Sequence, residues 1–271
     1  MYGKCVIERV LQIDEIYTLF EERFENDYIF EGETHNFWEF IAVVSGTPCV
    51  TAGKEVFSMS PGQIIFHPPM EFHNIRADKN NSAEIIVISF NGKVVPELSG
   101  KVFSMPSGSI SVLKEIVESA QSCFVMEDIN CRSMRPGAEI AAQELINKIE
   151  LFILSVYSAG NTLQKKAQTQ SAKNFTSIMK FLEDNIEKQL TVDDIAYACN
   201  MSRANLKKTF YRYAGVGIMH YFNNIKMLKA AELLSDGMSV KETALNLGYA
   251  EQNYFSAAFK RIMGKPPSEF R

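Results

Sequence analysis

The two halves of the chain differ in the period at which apolar residues recur. Residues 28–90 hold short apolar runs separated by turn residues, such as FWEFIAVVSG at residues 37–46. From residue 109 onward, apolar residues recur every three or four positions, which is the period of an amphipathic helix. Short, evenly spaced strands favour an antiparallel sandwich or small barrel. The pattern therefore predicts a β-rich first part followed by helices.

Two amphipathic helices are expected between residues 106 and 158. Their apolar positions are Ile110, Leu113, Ile116, Val117, Ala120 and Phe124 in the first helix, and Ala141, Leu145, Ile146, Ile149, Phe152, Ile153 and Val156 in the second. The second stripe is wide, and a wide apolar face needs a partner. That partner is either the barrel of the same chain or the helix at 137–158 of a second copy in a homodimer. The pattern does not separate these two.

The helical pattern is interrupted once before the end of the chain. Residues 159–173 lose the periodicity and gain Gln, Ser, Thr, Lys and Gly, which is the composition of a linker. We therefore predict a multi-domain protein. It has an antiparallel β-barrel at 1–105, a flanking helical segment for dimerisation or packing at 106–158, the linker, and an all-α domain at 174–271.

The all-α domain contains one pattern twice, at residues 192–210 and 240–259. In each copy a short helix ends in a tight turn, and a second helix follows with apolar residues at matching offsets. The turn residues, Asn200 and Gly248, tolerate a positive φ. Two helices joined by a short turn form a helix-turn-helix, so the spacing predicts two such motifs.

Hydroxyl side chains mark where three of the predicted helices begin. These residues are Thr191, Ser202 and Ser239. A hydroxyl oxygen at this position accepts a hydrogen bond from one of the free N–H groups of the first turn. Acidic residues at 193–194 follow Thr191, and they interact favourably with the helix dipole.

Charge is divided unevenly along the chain. The whole sequence carries 28 Lys and Arg against 32 Asp and Glu, a net charge of −4. Residues 172–271 hold 14 basic and 10 acidic residues, a net charge of +4, so residues 1–171 carry −8. Counterion release depends on the local surface that faces the phosphates. The helical half therefore suits double-stranded DNA, and the acidic half does not.

Cysteine usage and the first residues favour the cytoplasm. The five cysteines are odd in number and form no C-x-x-C pair, as expected for buried thiols in a reducing compartment. Residues 1–24 are interrupted by charges and lack the apolar region of a signal peptide. We also find no apolar run long enough to span a membrane. We expect a cytoplasmic protein with no membrane partner.

Three of the four histidines fall in the β-rich segment. This segment resembles the two sequence boxes of the cupin fold, which here consist of His35, Glu39, Gly46, Pro61, Gly62, His67 and His73. Enzymatic cupins of that kind hold a metal with two or three His and one Glu. Here Phe37 stands where metal cupins carry a second histidine. Because a metal site needs several converging ligands, we expect no metal and no other cofactor.

A barrel of this size can instead hold one small molecule through apolar contacts and a few polar ones. The candidates for effector binding are His35, Phe37, Trp38, Glu39, His67 and His73. Successive side chains of a strand point to opposite faces, so Phe37 and Trp38 cannot both point inward. The alternative is that the histidines only form hydrogen bonds around the barrel mouth.

The repeated motif lies within a longer set of recognisable positions. They are Ser202, Leu206, Phe210, Gly215, Tyr221, Lys226, Ala230, Leu234, Ala244, Gly248, Tyr249, Tyr254, Phe255, Ser256, Phe259, Lys260 and the ending GKPPSEFR. In them, residues 172–271 resemble the DNA-binding domain of the AraC/XylS family of bacterial transcription regulators. The first half is similar, more loosely, to the cupin-like effector domain of that family. The resemblance implies two recognition helices in successive major grooves, and an effector domain that binds a small molecule, often a sugar, and often dimerises.

The second helix of each motif supplies the candidate DNA contacts. They are Arg203, Ala204, Asn205, Lys207 and Lys208 in the first motif, and Glu251, Gln252, Asn253, Ser256, Lys260 and Arg261 in the second. Amide side chains can pair with adenine, basic ones with guanine, and an alanine methyl can touch thymine. Lys260 and Arg261, nearer the helix end, suit phosphates, which position the protein rather than specify the sequence.

Three positions depart from the family's pattern. Lys226 stands where members usually have Arg, which exchanges a bidentate fork for a point charge. Thr243 occupies a normally apolar position, and Ala257 occupies one where Arg is frequent. These departures lie mostly in the second motif, so we expect the first recognition helix to bind more strongly.

The sequence thus predicts a ligand-responsive, sequence-specific DNA-binding transcriptional regulator without catalytic activity. By resemblance its genes serve carbohydrate uptake or metabolism, and its partners are an operator, a small effector, a second copy and, if it is an activator, RNA polymerase. One alternative is a metal-binding cupin enzyme fused to a DNA-binding domain. Another is a ligand-independent regulator whose barrel only dimerises.

Overall fold

The computed structural model describes residues 4–6, 8–77, 81–162 and 169–270, and it divides into two units, Met1–Ala167 and Gln168–Arg271. The predicted linker lies partly outside the described residues, at 163–168. Its last four positions belong to the first helix of the second unit, which begins at Gln170. No described helix is both long and apolar enough to cross a lipid bilayer.

Strands dominate the first unit, as predicted. In chain order they are β1 (Gln12–Phe24), β2 (Trp38–Ser45), β3 (Cys49–Ala52), β4 (Glu55–Ser58), β5 (Gln63–His67), β6 (His73–Arg76), β7 (Ala83–Lys93), β8 (Val102–Ser104), β9 (Phe124–Glu127) and β10 (Asn130–Met134). They form two sheets, with strand order β8-β5-β2-β7-β1-β10-β9 in the larger and β4-β3-β6 in the smaller. Neighbouring strands in both sheets are antiparallel.

An apolar core fills the space between the two sheets. Both sheets contribute to it, and its buried members include Phe24, Ile41, Val43, Val50, Met59, Ile65, Ile75, Ile85 and Val87. Burial of this much apolar surface is the main term that holds the sheets together. Among the residues that the structure describes, packed side chains therefore leave no room for a small molecule between the sheets. A binding site on this unit has to lie at an end of the sandwich or on its surface.

Two helices cover the other face of the larger sheet. They are α1 (Ser109–Cys123) and α2 (Glu139–Ala159), and their stripes pack with Phe40 and Ile88 in one core. The stripe of α2 contains Ala142 rather than the predicted Ala141, which is exposed. Because the sheet of the same chain covers this stripe, packing within the subunit accounts for its width. The predicted homodimer remains a prediction.

Two β elements depart from the sequence prediction. Strand β1 lies where no strand was expected, and the β9–β10 hairpin interrupts the predicted helical segment at 106–158. Strand β1 pairs with β7, with register shifts between Ile13 and Glu15 and between Ile16 and Thr18. Each shift resets the alternation of inward and outward side chains. The period of two, which reveals a strand in a sequence, is therefore lost in β1.

The second unit is helical. Its helices are α3 (Gln170–Asp184), α4 (Val192–Ala198), α5 (Arg203–Ala214), α6 (Ile218–Ser235), α7 (Val240–Asn246) and α8 (Gln252–Met263), followed by a 3-10 helix at Pro267–Phe270. The pairs α4–α5 and α7–α8 are the two predicted helix-turn-helix motifs. Thr191, Ser202 and Ser239 cap α4, α5 and α7 as predicted, each accepting a hydrogen bond from the first turn.

Helix α6 joins the two motifs, and its Lys226 is 1% exposed. The Lys226 ammonium donates hydrogen bonds to the carbonyl oxygens of Lys188 (2.5 Å) and Leu247 (2.8 Å). It also lies 5.1 Å and 5.4 Å from the ring centroids of Phe222 and Tyr249. Burial lowers the pKa of Lys226 to about 8. This side chain fastens the loop after α3 to the turn of the second motif.

Candidate DNA-binding surface and effector site

The turns of the two motifs are built alike. The Met201 N–H donates to the Ala196 carbonyl, and the Tyr249 N–H donates to the Ala244 carbonyl, both at 2.9 Å. The residue before each of these donors has a positive φ, 53° in the first motif and 76° in the second. The equal hydrogen bonds show that the repetition in the sequence is also a repetition in backbone geometry.

Helices α5 and α8 each bury one face and expose the other. Leu206 and Phe210 of α5, and Phe255 and Phe259 of α8, are fully buried. The predicted DNA contacts lie on the opposite, exposed side, apart from Ser256, which is half-buried, and Glu251, which precedes the first turn of α8. The structure thus brings the predicted residues of each motif together on one surface. The exposed surface of α5 is here named the first recognition face, and that of α8 the second recognition face.

The two recognition faces carry different charges. When the buried positions are aligned, Lys207 and Lys208 of α5 match Ser256 and Ala257 of α8. Arg203, in contrast, is held by the Asp193 carboxylate of α4 in a bidentate ion pair. Both partners are largely exposed, so the pair contributes little to stability but orients the guanidinium before any DNA contact.

Tyr254 also belongs to the second recognition face, although it is not among the DNA contacts predicted from the sequence. Its side chain is 70% exposed on α8, and its ring lies 6.0 Å from that of Tyr249. An exposed aromatic ring beside amide side chains offers both apolar surface and a hydroxyl group. Its position two residues after the start of α8 was the available signal.

A polar cluster occupies one end of the sandwich in the first unit. We define it as Glu33, His35, Glu39, His67 and His73. Glu39 on β2 stands opposite His67 on β5 in the strand register. His67, His73 and Glu39 are 0%, 2% and 7% exposed. Buried ionisable groups of this kind persist only when other polar groups surround them.

Glu39 is the centre of the polar cluster. Its Oε1 lies 3.3 Å from Nε2 of His73, and its Oε2 lies 3.8 Å from Nε2 of His35. The Ser89 hydroxyl donates a 2.7 Å hydrogen bond to Oε2, and the hydroxyls of Ser89 and Thr18 are 2.5 Å apart. A chain of polar contacts from β1 through β7 therefore fixes the Glu39 carboxylate.

Two carboxylates near the histidines were missed by the sequence reasoning. Glu33 faces His73 across an isolated antiparallel bridge, and its Oε1 lies 3.6 Å from Nε2 of His73. Glu71 contacts Nδ1 of His67 at 2.7 Å. Neither is among the residues that define the two sequence boxes. The Glu33 contact depends on pairing between distant chain segments. For Glu71, the spacing of four residues from His67 was the only local signal.

The polar cluster shifts the pKa values of its members in opposite directions. Burial by itself would lower the pKa of His73, but the carboxylates of Glu33 and Glu39 raise it to about 10. Burial by itself would raise the pKa of Glu39, but the nearby imidazoles hold it well below its ordinary value. Burial lowers the pKa of His67, and the charge of His73 adds to that effect. His73 is thus the cation of the cluster and His67 is neutral.

The aromatic candidates separate onto two faces. Phe37 stacks on His35 with ring centroids 3.8 Å apart, and on Tyr17 at 4.1 Å, so it borders the polar cluster. Trp38 instead packs against the core beneath α1 and α2. The structure therefore does not bring Trp38 together with the other candidates, because neighbouring side chains of β2 point to opposite faces.

These features define a protein of two units, a β-sandwich with a buried polar cluster and a helical unit with paired helix-turn-helix motifs. The model of the AraC-like ligand binding domain matches residues 17–143, and that of a helix-turn-helix domain matches residues 195–271. The chain belongs to the AraC/XylS family of transcriptional regulators.

Several known proteins are similar along most of the chain. The Msm operon regulatory protein of Streptococcus mutans is 23% identical, covering 92% of this chain and 89% of its own. The transcriptional activator RhaS of Escherichia coli is 22% identical, covering 88% and 86%. A crystal structure of ToxT from Vibrio cholerae covers 94% of this chain and 96% of its own, with 17% identity and a TM-score of 0.37.

Proposed function

We propose that this protein is a ligand-responsive regulator that binds specific sequences in double-stranded DNA and controls genes of carbohydrate uptake or metabolism. The observation that carries the proposal is the pair of helix-turn-helix motifs with equal turns. Each motif exposes the polar face of its second helix, α5 or α8, on a unit whose net charge is +4. Such a regulator works in the cytoplasm, as a homodimer, and contacts RNA polymerase if it activates.

The two recognition faces favour a bipartite operator. If each face occupies one major groove on the same side of the duplex, the two base-contacting segments are about 34 Å, or roughly 10 base pairs, apart. Asn205 on the first face and Gln252 and Asn253 on the second can read adenine, and Lys207 can read guanine. Lys208, Lys260 and Arg261 suit the backbone phosphates.

Selection of the full-length chain on random double-stranded DNA tests this function. We expect enrichment of a sequence with two conserved segments one helical turn apart. Its affinity should exceed that for a scrambled duplex by roughly 10³-fold or more at physiological salt. Equal affinity for enriched and scrambled duplexes would exclude a sequence-specific regulator.

The effector is proposed to bind at the polar cluster. Packed apolar side chains fill the space between the sheets, so a polar ligand would bind at the end of the sandwich. There Phe37 supplies an aromatic ring beside His35 and Glu39. Carboxylate and imidazole groups can exchange hydrogen bonds with hydroxyl groups, which suits a sugar. The choice of carbohydrate itself rests on the family resemblance.

A thermal-shift screen of sugars, fatty acids and aromatic compounds on the full-length chain tests the effector site. We expect a sugar to raise the unfolding temperature of the wild type, and Glu39→Gln to abolish the shift. The matched control is His220→Ala, because His220 lies on α6 in the other unit. A screen with no shift would favour the ligand-independent alternative, which the filled core between the sheets also supports.

A further inference from the structure

Four side chains of the polar cluster converge in a way that hydrogen bonding alone does not explain. The ligand atoms of Glu33, His35, Glu39 and His73, here named the four-ligand group, all lie within 4.8 Å of one another. They come from the segment before β2, from β2 itself and from β6. Convergence from separate elements on one point is what a metal site requires and what a sequence motif cannot demonstrate.

The spacing of these atoms fits a first-row transition metal ion. Nε2 of His73 lies 3.3 Å from Glu39 Oε1 and 3.6 Å from Glu33 Oε1, and Nε2 of His35 lies 3.8 Å from Glu39 Oε2. Metal–ligand bonds of about 2.0–2.2 Å in a tetrahedron separate the ligand atoms by roughly 3.4 Å. Only small side-chain movements separate the observed arrangement from a bound one.

Both histidines of the group are oriented as metal ligands usually are. Nδ1 of His35 lies 3.0 Å from the Phe37 carbonyl oxygen, and Nδ1 of His73 lies 3.1 Å from the Glu71 carbonyl oxygen. Because a carbonyl only accepts, each Nδ1 donates its hydrogen, and Nε2 is the atom directed at the group. A backbone carbonyl on the far nitrogen is the second contact that metal-binding histidines typically have.

The two Nε2 atoms are buried and lack a hydrogen-bond partner among the described residues. They only approach carboxylate oxygens, at the distances given above. Glu33 in turn is fixed opposite His73 by two backbone hydrogen bonds of 3.0 Å. Metal cupins have a second histidine where this chain has Phe37. The Glu33 carboxylate can supply the fourth ligand in its place. The missing histidine was the reason to expect no metal.

We propose that Glu33, His35, Glu39 and His73 bind one divalent first-row transition metal ion. Two imidazoles with two carboxylates suit Zn²⁺, Fe²⁺ or Mn²⁺ better than Ca²⁺ or Mg²⁺, which prefer oxygen ligands alone. An imidazole binds a metal only without its second proton, so the ion would replace the His73 proton as the positive charge beside the two carboxylates. His67 stays outside the group, because its Nδ1 contacts Glu71 and its ring stacks on His73 at 4.6 Å.

Metal titration of the full-length, chelator-treated protein tests the site without DNA or effector. We expect one Zn²⁺ per chain by calorimetry, and Co²⁺ substitution should give visible ligand-field bands that Zn²⁺ removes. Glu33→Gln should weaken Zn²⁺ binding roughly 10-fold or more, and His73→Gln should abolish it. Glu33 is suited to this test because its side chain is 48% exposed, so its replacement should leave the fold intact.

His220→Ala is the matched control, since it removes the one histidine that lies outside the first unit. Its Zn²⁺ affinity should equal that of the wild type. No binding, or binding that Glu33→Gln and His73→Gln leave unchanged, would overturn the proposal. The metal site shares residues with the proposed effector site. Failure of the metal proposal can still be told apart from failure of the proposed function, because operator selection is carried out without added metal.

Discussion

At the scale of single residues, Thr243 and Ile195 occupy equivalent places in the two motifs. Both are fully buried, and the carbonyl of each accepts a hydrogen bond from the last residue before the turn. The Thr243 hydroxyl finds no hydrogen-bond partner among the described residues. A buried hydroxyl without a partner costs about 1–3 kcal/mol relative to one in water. Thr243 therefore stabilises the second motif less than Ile195 stabilises the first.

Replacing Thr243 by valine should stabilise the protein. Thr243→Val keeps the shape and removes the unsatisfied hydroxyl, so we expect the free energy of unfolding to rise by roughly 1 kcal/mol. Urea denaturation measures the change. Thr209→Val is the matched control, because the buried Thr209 hydroxyl donates to Asn205, and its removal should give no gain. A gain of equal size in both variants would contradict the explanation.

Gly248 should tolerate no side chain. Its φ is 76°, and a Cβ atom there would lie 2.3 Å from the Glu187 carbonyl oxygen. We expect Gly248→Ala to lower the free energy of unfolding by more than about 2 kcal/mol. Gly237→Ala separates the two causes, because Gly237 also has a positive φ but has open space around it. If both variants lose the same amount, the contact with Glu187 is irrelevant.

At the scale of elements, the two recognition helices differ in the charge they present. Lys207 and Lys208 of α5 stand where α8 has Ser256 and Ala257. Salt dependence of binding reports the number of phosphates that a protein neutralises. Because the first recognition face has two more lysines at the aligned positions, it should contribute more to affinity for DNA than the second.

We expect Lys207→Ala to weaken binding to the selected operator by roughly 10-fold or more, since a good base contact contributes about 1–3 kcal/mol. Binding to scrambled DNA should change less. Fluorescence anisotropy at several salt concentrations measures both. Ser256→Ala, at the matching position of α8, should have a smaller effect. Equal losses on operator and scrambled DNA would make Lys207 a phosphate contact.

The elements differ in how well the sequence predicts them. Helices α4, α5 and α7 were predicted because a repeated spacing and hydroxyl caps agree. Strand β1 was missed because two register shifts break its alternation. The contact of Glu33 with His73 was missed for another reason. It exists only through pairing between chain segments forty residues apart, and no local pattern records such pairing.

At the scale of the whole helical unit, Lys226 is the one buried Lys or Arg among the residues of that unit that the structure describes. It joins the loop after α3, at Lys188, to the turn of the second motif, at Leu247. An arginine at this place could bind both carbonyls with separate N–H groups. The lysine does so from one ammonium group, which burial makes easier to deprotonate.

The stability of the protein should therefore depend on pH above neutrality. The pKa of Lys226 is about 8 in the folded protein and about 10.4 in an unfolded chain. Because the unfolded chain binds this proton more tightly, the free energy of unfolding should rise between pH 8 and 9.5, by about 1–2 kcal/mol. Urea denaturation of the wild type and Lys226→Met, compared at each pH, measures the effect. Parallel curves for the two proteins would show that Lys226 does not titrate in this range.

Strand β2 connects two parts of the first unit, because its two faces contact different layers. Glu39 points to the polar cluster, whereas the next residue, Phe40, packs 5.7 Å from the ring of Phe152 on α2. Both residues share one rigid, hydrogen-bonded backbone between β5 and β7, and protein interiors are hardly compressible. A ligand that displaces Glu39 should therefore also displace Phe40 and change its contact with Phe152 on α2.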